Sequence, residues 1–159
     1  MDVEYEAYSY RHAEEILNSR MQIFRQIKDA VHSVVEAQVS KDEGNLTAQL
    51  MNSFKKLGWE DEVLVADNQS HEQFFDLFKE RVAVEIEFSR YEFLYRDYLR
   101  FLSAYNADKI DVGVLITHAE SGLSRVKGKS YAPSLTRVTD DLLWLRPVVT
   151  VPIWVVALK

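Results

Sequence analysis

The spacing of apolar side chains changes along the chain, and this change predicts where helices give way to strands. Up to Gly58 the apolar positions recur every three or four residues. This period predicts one long helix or two shorter ones over residues 11–38 and another helix over residues 45–57. A polar break separates them at residues 40–45, and Gly58 is a typical helix stop. The first 58 residues are therefore predicted to be helical.

Beyond Gly58 the pattern alternates between strands and helices. Over residues 82–88 apolar side chains alternate with small or acidic ones, which is typical of a strand with one apolar face. The other predicted elements are strands near Val63 and Val65 and at residues 110–117 and 148–158, helices at residues 91–105 and 134–145, and a loop at residues 118–131. Because a helix separates the strands at 82–88 and 110–117, we expect these two to be parallel. Pro152 indicates an edge or a bulge in the last strand. The order predicts an α/β fold with a mixed sheet.

Composition limits the possible classes of protein. The 159 residues are 47% hydrophobic and 28% charged, which suits one globular domain over residues 1–159, with N-terminal helices at 1–58 and an α/β core at 59–159. The absence of cysteine excludes a disulfide scaffold and a thiol nucleophile, and agrees with a reducing cytosol. No apolar run approaches the ~20 residues that span a bilayer. We therefore expect no membrane partner, and the acidic N-terminus does not resemble a signal peptide.

The distribution of charge is more informative than its sum. The formal net charge of −6 alone speaks against a nucleic-acid partner. However, residues 1–62 hold 12 acidic and 7 basic side chains, whereas residues 110–159 hold 4 acidic and 6 basic ones. The C-terminal third is therefore electropositive, and the acidic excess can lie away from a polyanionic partner.

Three acidic side chains form the main candidate for chemistry. Glu85 and Glu87 lie on the same face of the predicted strand, with Cα atoms about 6.6 Å apart at ~3.3 Å per residue. Asp76 precedes Glu85 by nine residues and converges on it if residues 72–78 and 82–88 are neighbours across a turn at Lys79–Arg81. Such a group of carboxylates is costly without a cation, and Mg²⁺ or a similar oxygen-seeking ion would relieve the repulsion. The metal could activate water and bind a phosphoryl oxygen.

Two other interpretations of these acids start from the same residues. A Glu-x-Glu strand is more often the solvated outer face of a sheet, so the spacing alone leaves that alternative open. Paired carboxylates also serve glycosidases, but nothing else in the sequence indicates a sugar cleft.

The segment DLFKERVAVEIEFSRYEF resembles the catalytic segment of type II restriction endonucleases of the BglII and BstYI group, within the PD-(D/E)XK nuclease superfamily. Shorter likenesses extend almost end to end, in YSYRHAEEILN, LMNSFKKLGW, DKIDVGV, SYAPSL and VPIWVVAL. The resemblance implies a restriction-endonuclease-like core, in which a mixed β-sheet is flanked by helices. Members of the group are longer, with extra segments in the middle and near the C-terminus.

The resemblance also implies roles for the acids. Asp76 and Glu85 are similar to the metal-binding acids of the family, and the carbonyl of Ile86 would be the third ligand. Glu87 stands at the position of the superfamily lysine, where the most similar members have Gln and the BamHI group has Glu. Unlike Gln, Glu can accept a proton from water, so Glu87 could be a metal ligand or a general base.

Further residues resemble the DNA-binding positions of the family. Arg90 stands where members direct a polar side chain into the major groove, and Arg can bind guanine through two hydrogen bonds. A contact with phosphate or with Glu92 is an equally open alternative. Lys127, Lys129 and Ser130 fall in a loop that resembles the second recognition loop, although solvated loop residues would show the same pattern.

The helix predicted at residues 91–105 has an apolar face wide enough for both the core and a partner helix. The resemblance implies a homodimer in this region, with Arg96 and Arg100 at or beside the interface. It therefore implies a Mg²⁺-dependent, sequence-specific endonuclease of double-stranded DNA that hydrolyses phosphodiester bonds with a metal-activated water, in a prokaryotic cytoplasm. The alternatives are a structure-specific nuclease of repair or recombination and a non-catalytic DNA-binding or interaction domain with the same fold.

Overall fold

The structure, a computed structural model, describes residues 5–37, 43–66, 72–125 and 130–159. In these ranges the helices and strands are, in chain order, β1 (Tyr5–Tyr10), α1 (Ala13–Asn18), α2 (Met21–Ala37), α3 (Glu43–Lys56), β2 (Glu60–Leu64), β3 (Phe74–Lys79), β4 (Val82–Ile86), α4 (Phe93–Asn106), β5 (Val112–His118), a 3₁₀ helix (Glu120–Arg125), α5 (Leu135–Trp144) and β6 (Ile153–Leu158). None of the helices in these ranges has the length and apolar character needed to cross a membrane.

The six strands form one mixed sheet in the order β1-β6-β5-β4-β3-β2. Strands β4, β5 and β6 are parallel, and β1, β3 and β2 join them through antiparallel pairs. The predicted mixed sheet and the predicted parallel pairing of β4 with β5 are confirmed. The parallel strands are buried on both faces, which explains why their sequences are almost continuously apolar.

Helices cover both faces of the sheet and enclose two hydrophobic cores. Helices α1, α2 and α3 pack on one face, against side chains such as Val82 and Val84, whereas α4 and α5 pack on the other, against Ala83. Because side chains alternate along a strand, Glu85 and Glu87 continue the series begun by Ala83. The two acids therefore project toward the α4 side of the sheet.

A close approach of helix to sheet sets α4 above β4 and β5. A Cβ atom at Gly113 would lie 2.7 Å from the ring of Phe101, so only glycine leaves room for this ring beside β5. Ala83 lies next to Gly113 across the β4–β5 pair and is also small. Because the Phe101 ring packs directly on Gly113, α4 lies close to the sheet. The turn of α4 before Phe101, which ends at Arg100, is therefore close enough to contact Glu85.

The hairpin between β3 and β4 is as tight as the sequence predicts. Lys79 pairs with Val82, and the two intervening residues, Glu80 and Arg81, have φ of 46° and 67°. Positive φ at both central residues is characteristic of the type I′ turn, which matches the twist of the flanking strands. Neither residue is of a type that favours this conformation, so the turn is formed against local preference.

Replacing Glu80 by Asn should stabilise the protein by about 1 kcal/mol, because Asn tolerates the left-handed region better than Glu. For a chain of this size the midpoint of thermal unfolding should rise by about 2–4 °C. Arg81→Asn is the matched control, since it relieves the same backbone cost but removes ion pairs with Asp108 and Asp111. We expect no net gain for that variant, and a lower midpoint for Glu80→Asn would contradict the explanation.

Two predictions about the chain ends were wrong or incomplete. Residues Tyr5–Tyr10 form a strand that was not predicted, and they pair with β6 from Tyr5↔Leu158 to Tyr10↔Ile153. Because β1 covers β6, the last strand is not an edge strand, and its pairing on both sides continues without a bulge. Pro152 lies before the first residue of β6.

The helical region at 11–38 is two helices, α1 and α2.

Candidate active site

The structure brings Asp76 and Glu85 together at the point where β3 and β4 separate. The last pair of this ladder is Leu77↔Val84. Beyond it, the Asp76 carboxylate accepts the backbone N–H of Ile86 at 2.8 Å and so spans the gap between the strands. The Asp76 carboxylate also lies close enough to Glu85 for its charge to raise the pKa of the Glu85 carboxyl.

Glu85 is buried under α4 and is only 2% exposed. Arg100 Nη1 lies 3.4 Å from its Oε1. Burial, followed by the charges of Asp76 and Asp97, raises the pKa of Glu85 to about 10, although the nearby guanidinium favours the ionised form. The alternative of a solvated outer face, which the sequence left open, is therefore wrong, since α4 covers these acids.

Glu87 lies one residue beyond β4 and is also buried. Its backbone N–H donates to the carbonyl of Ile116 at 2.9 Å, and its carboxylate accepts the Ser89 hydroxyl at 3.2 Å. Burial raises the pKa of Glu87, whereas the hydrogen bond from Ser89 and the charge of Arg96 oppose the shift. The raised pKa makes Glu87 a better proton acceptor near neutral pH than an exposed glutamate.

Helix α4 adds a fourth acid, Asp97, and a partly buried arginine, Arg100, which the sequence did not indicate as site residues. Asp97 is buried, and burial together with the charge of Glu87 raises its pKa to about 8, while Arg96 and Arg100 act in the opposite direction. Arg100 donates to the Gln73 side-chain oxygen through Nε at 3.0 Å and Nη2 at 2.8 Å. We refer to Asp76, Glu85, Glu87 and Asp97 as the acid cluster.

A signal for these two residues was present in the sequence. Asp97 and Arg100 follow Leu94 at steps of three residues, on the stripe of α4 that Leu94 and Phe101 bury. A charged residue on the buried stripe of a helix needs a partner in the core, so it points to a buried polar site. The sequence instead suggested Arg100 for a dimer interface, whereas the structure places its guanidinium in the acid cluster.

The donor set suits a hard divalent cation. Within the described ranges no three His, Cys, Asp or Glu side chains are arranged to hold a metal ion. However, Asp76 and Glu85 offer two carboxyls, and the backbone of Ile86 faces the same gap, because the next N–H, of Glu87, points the other way to β5. Carboxylate and carbonyl oxygens are the ligands that Mg²⁺ prefers, and a bound cation would offset the cost of burying these acids.

Arg90 lies at the surface after β4, outside the acid cluster. Its Nε and Nη2 donate to the two carboxylate oxygens of Glu92, each at 3.1 Å. The guanidinium also lies 5.5 Å from the centre of the Tyr131 ring. Pairing with Glu92 is one of the alternatives that the sequence left open.

The loop before α5 meets the surface near Arg90. The backbone N–H of Tyr91 donates to the carbonyl of Tyr131 at 2.8 Å, which places the exposed Ser130 beside this segment. Arg90 and Ser130, which resemble the two DNA-binding segments of the family, therefore lie on neighbouring parts of the surface. Lys127 and Lys129 lie outside the described residues.

A second surface is apolar and belongs to α4 and α5. Asp141 joins these helices by accepting hydrogen bonds from the hydroxyls of Tyr95 at 3.3 Å and Tyr98 at 3.2 Å. Large apolar side chains on the same pair of helices are nevertheless exposed, among them Leu99, Leu143 and Trp144. Exposed apolar residues in such numbers are typical of a surface that meets another protein.

Comparison with known proteins gives one family and two similar structures. The family model described as restriction endonuclease BglII/BglIII matches residues 5–158. The chain is similar to restriction endonuclease BglII in complex with a DNA 16-mer, with a TM-score of 0.78 and 19% identity over 98% of this chain and 76% of that one. It is also similar to free BglII, with a TM-score of 0.70 and 20% identity over 99% of this chain and 80% of that one. No match was found among curated proteins. The structural likeness confirms the predicted restriction-endonuclease-like core.

Proposed function

The chain belongs to the BglII/BglIII family of restriction endonucleases, and on this basis we propose which residues of its acid cluster cleave DNA and which of its surfaces bind DNA and a partner subunit. Membership makes it a type II site-specific deoxyribonuclease. We propose that it requires Mg²⁺, hydrolyses phosphodiester bonds of double-stranded DNA and acts as a homodimer. The observation that carries this proposal is the half-buried Asp76 carboxylate, which accepts the backbone N–H of Ile86 and lies close enough to the buried Glu85 carboxyl to raise its pKa.

In the proposed mechanism each group of the site has a separate role. The carboxylates of Asp76 and Glu85 and the carbonyl of Ile86 would hold the cation. When bound, Mg²⁺ supplies positive charge to a phosphate oxygen and lowers the pKa of water. Glu87 accepts a proton from the attacking water, a task for which its raised pKa suits it. Asp97 lies close enough to Glu87 for their charges to interact. Protonation of one carboxyl therefore favours the ionised form of the other.

We propose that the surface around Arg90 reads the sequence of the DNA. Arg90 and Ser130 would contact base edges or phosphates, and Lys127 and Lys129 belong to the same proposal through their family resemblance. The Arg90–Glu92 pair is exposed, and such pairs are weak, so Arg90 can leave Glu92 for guanine at little cost. The basic C-terminal third agrees with a polyanionic partner.

Replacing Arg90 by Ala should lower cleavage and change the base preference at one position of the target. A bidentate contact with a base is worth about 1–3 kcal/mol of discrimination, or about 5- to 150-fold in rate. The measurement is the cleavage rate on a set of substrates that differ by one base pair. Glu92→Gln is the control, because it releases Arg90 without removing it and should preserve the preference. An equal loss on every substrate would show that Arg90 contacts only the backbone of the DNA.

We propose that the exposed apolar surface of α4 and α5 forms the homodimer interface. A two-fold dimer presents the same reading surface to both half-sites, so its target would be a short palindrome. The family supports, as part of the same proposal, a prokaryotic cytoplasm and a companion methyltransferase.

Cleavage of a plasmid library in the presence of Mg²⁺ tests the proposed activity. Discrete and reproducible fragments, absent when the metal is chelated, are expected. Nicking alone, or cutting that requires a junction, would instead indicate a structure-specific repair nuclease. Cutting by wild type that is no better than that of a Glu85→Ala variant would contradict the proposed site and favour a non-catalytic domain.

A further inference from the structure

A partly buried arginine, Arg100, lies within the acid cluster, and the proposed mechanism gives it no role. The Arg100 side chain is only 17% exposed. Its Nη1 lies 3.4 Å from Glu85 Oε1 and 3.9 Å from Asp97 Oδ1. Removing a guanidinium largely from water is costly unless nearby groups compensate for the lost hydration, so these contacts need a physical explanation.

The contacts of Arg100 are unequal, and the inequality is informative. The two shorter hydrogen bonds, 3.0 and 2.8 Å, go to the neutral side-chain oxygen of Gln73. A guanidinium that only locked Glu85 in place would be expected to bind both carboxylate oxygens at about 2.7–2.9 Å. Instead, Gln73 holds the cation at a distance from Glu85. The charge can act on the acid cluster while the carboxylate oxygens of Glu85 stay available to another cation.

We propose that Arg100 is a built-in counter-cation, which offsets the charge of the acid cluster in the metal-free protein and competes electrostatically with the divalent cation for it. The inference rests on the proposed function, in which Asp76 and Glu85 hold that cation. Arg100 is therefore a positioning residue, because it acts on the acids and contacts no substrate in this scheme. Gln73, one residue before β3, anchors the guanidinium so that it does not collapse onto Glu85.

Competition by charge has a consequence that a merely structural arginine would not have. Metal binding adds positive charge to the site whether or not it displaces a proton, so a neighbouring guanidinium must weaken it. Arg100→Met keeps the length of the side chain and removes the charge. It should bind Mn²⁺ more tightly than wild type, by on the order of tenfold. A charge at this distance changes the pKa of a carboxyl by one or more units, and its effect on a bound cation should be of similar size.

The measurement is a titration of the full chain with Mn²⁺ in the absence of DNA, in which the free ion is followed by electron paramagnetic resonance. Arg96→Met is the matched control, because it removes the same charge from the same helix. The Arg96 side chain is 48% exposed, and its Nε lies 3.8 Å from Asp97 Oδ1. The charge of Arg96 acts on Glu87 and Asp97, whereas Arg100 acts on the proposed ligand Glu85. Because Arg96 is also screened by solvent, its removal should change the affinity by less than about twofold.

Two further variants separate charge from shape. Arg100→Lys keeps the charge and should bind Mn²⁺ about as wild type does, and Arg100→Gln provides a second neutral variant if Arg100→Met does not fold by circular dichroism. Unchanged or weaker binding by the neutral variants overturns the proposal. Tightening by Arg100→Lys equal to that of the neutral variants also overturns it, because the charge would then not be the cause.

A Glu85→Gln variant distinguishes this inference from the function on which it rests. If wild type binds Mn²⁺ and Glu85→Gln does not, the metal site stands, and the Arg100 variants alone decide the competition. If Glu85→Gln binds Mn²⁺ as wild type does, the metal site of the proposed function fails and the inference fails with it.

Discussion

Replacing Glu85 by Gln is expected to lower the rate of DNA cleavage by about a thousandfold or more, which corresponds to about 4 kcal/mol of lost transition-state stabilisation. Gln keeps the volume of the buried side chain and offers one neutral oxygen in place of a carboxylate. It therefore cannot provide the charge that we propose holds the divalent cation between β3 and β4. The measurement is the single-turnover rate of cleavage at saturating enzyme, where substrate binding no longer limits the rate.

The fold and the affinity for DNA should survive this change. In the metal-free protein Glu85, with a pKa of about 10, carries a proton at neutral pH, and Gln resembles that neutral form. We therefore expect an unfolding midpoint close to that of wild type. Binding of DNA in metal-free buffer should equal that of wild type in a gel-shift assay, since the side chain at position 85 is then neutral in both proteins.

Glu15→Gln is the matched control for Glu85→Gln. Glu15 lies on α1, on the opposite face of the sheet from α4, and its side chain is exposed. The same chemical change there should leave the cleavage rate within about twofold of wild type, since exposed positions away from a site seldom contribute more. A Glu85→Gln variant that retained more than about a tenth of the wild-type rate would contradict the assigned role, because loss of a metal ligand costs more than one order of magnitude.

The spacing of the three predicted acids was informative because it depends on local geometry alone. A strand places every second residue on one face, and a two-residue turn returns the chain beside itself, so the sequence could place Asp76 near Glu85. The turn at Glu80 and Arg81 and the pairing of β3 with β4 confirm this part. The period of a strand does not reveal what covers each face, and for this reason the sequence left a solvated surface open.

The features that the sequence missed depend on contacts between distant segments. Strand β1 pairs with β6 across almost the whole chain, and its hydrogen-bonding partners leave no local pattern in YEAYSY. Asp97 and Arg100 approach the acids of β3 and β4 because Phe101 packs on Gly113 and holds α4 close to the sheet. Their burial could have been suspected from the stripe of α4, but their partners on β4 and beside β3 required the tertiary structure.

Helix α4 also links the proposed chemistry to the proposed assembly. Its inner face brings Asp97 and Arg100 to Glu85, whereas Leu99 on its outer side is 60% exposed. The hydrogen bonds of Tyr95 and Tyr98 to Asp141 hold α4 against α5, and both helices expose large apolar side chains. A partner docked on these side chains would stabilise the helix that positions Arg100, and would bring a second acid cluster to the opposite strand of the DNA.

Replacing Leu99 by Glu should therefore separate the proposed dimer. A buried leucine at the centre of an interface is worth about 2–3 kcal/mol, and an unpaired buried carboxylate adds a further cost, so the dissociation constant should rise by about 100-fold or more. Sedimentation velocity at micromolar protein should show a dimer for wild type and a monomer for the variant. On supercoiled plasmid the variant should lose the linear product of double-strand cleavage, and any remaining activity should produce open circles.

Met21→Glu provides the control for Leu99→Glu, because the two changes introduce the same side chain at an exposed apolar position. Met21 is 69% exposed and lies at the start of α2, on the opposite face of the sheet from α4. This variant should sediment and cleave as wild type does. If Leu99→Glu also sedimented as a dimer with both strands cut at the wild-type rate, the interface would have to lie elsewhere. If Met21→Glu were instead the variant that dissociated, the helical layer formed by α1, α2 and α3 would carry the assembly, and α4 would be braced by its own core alone.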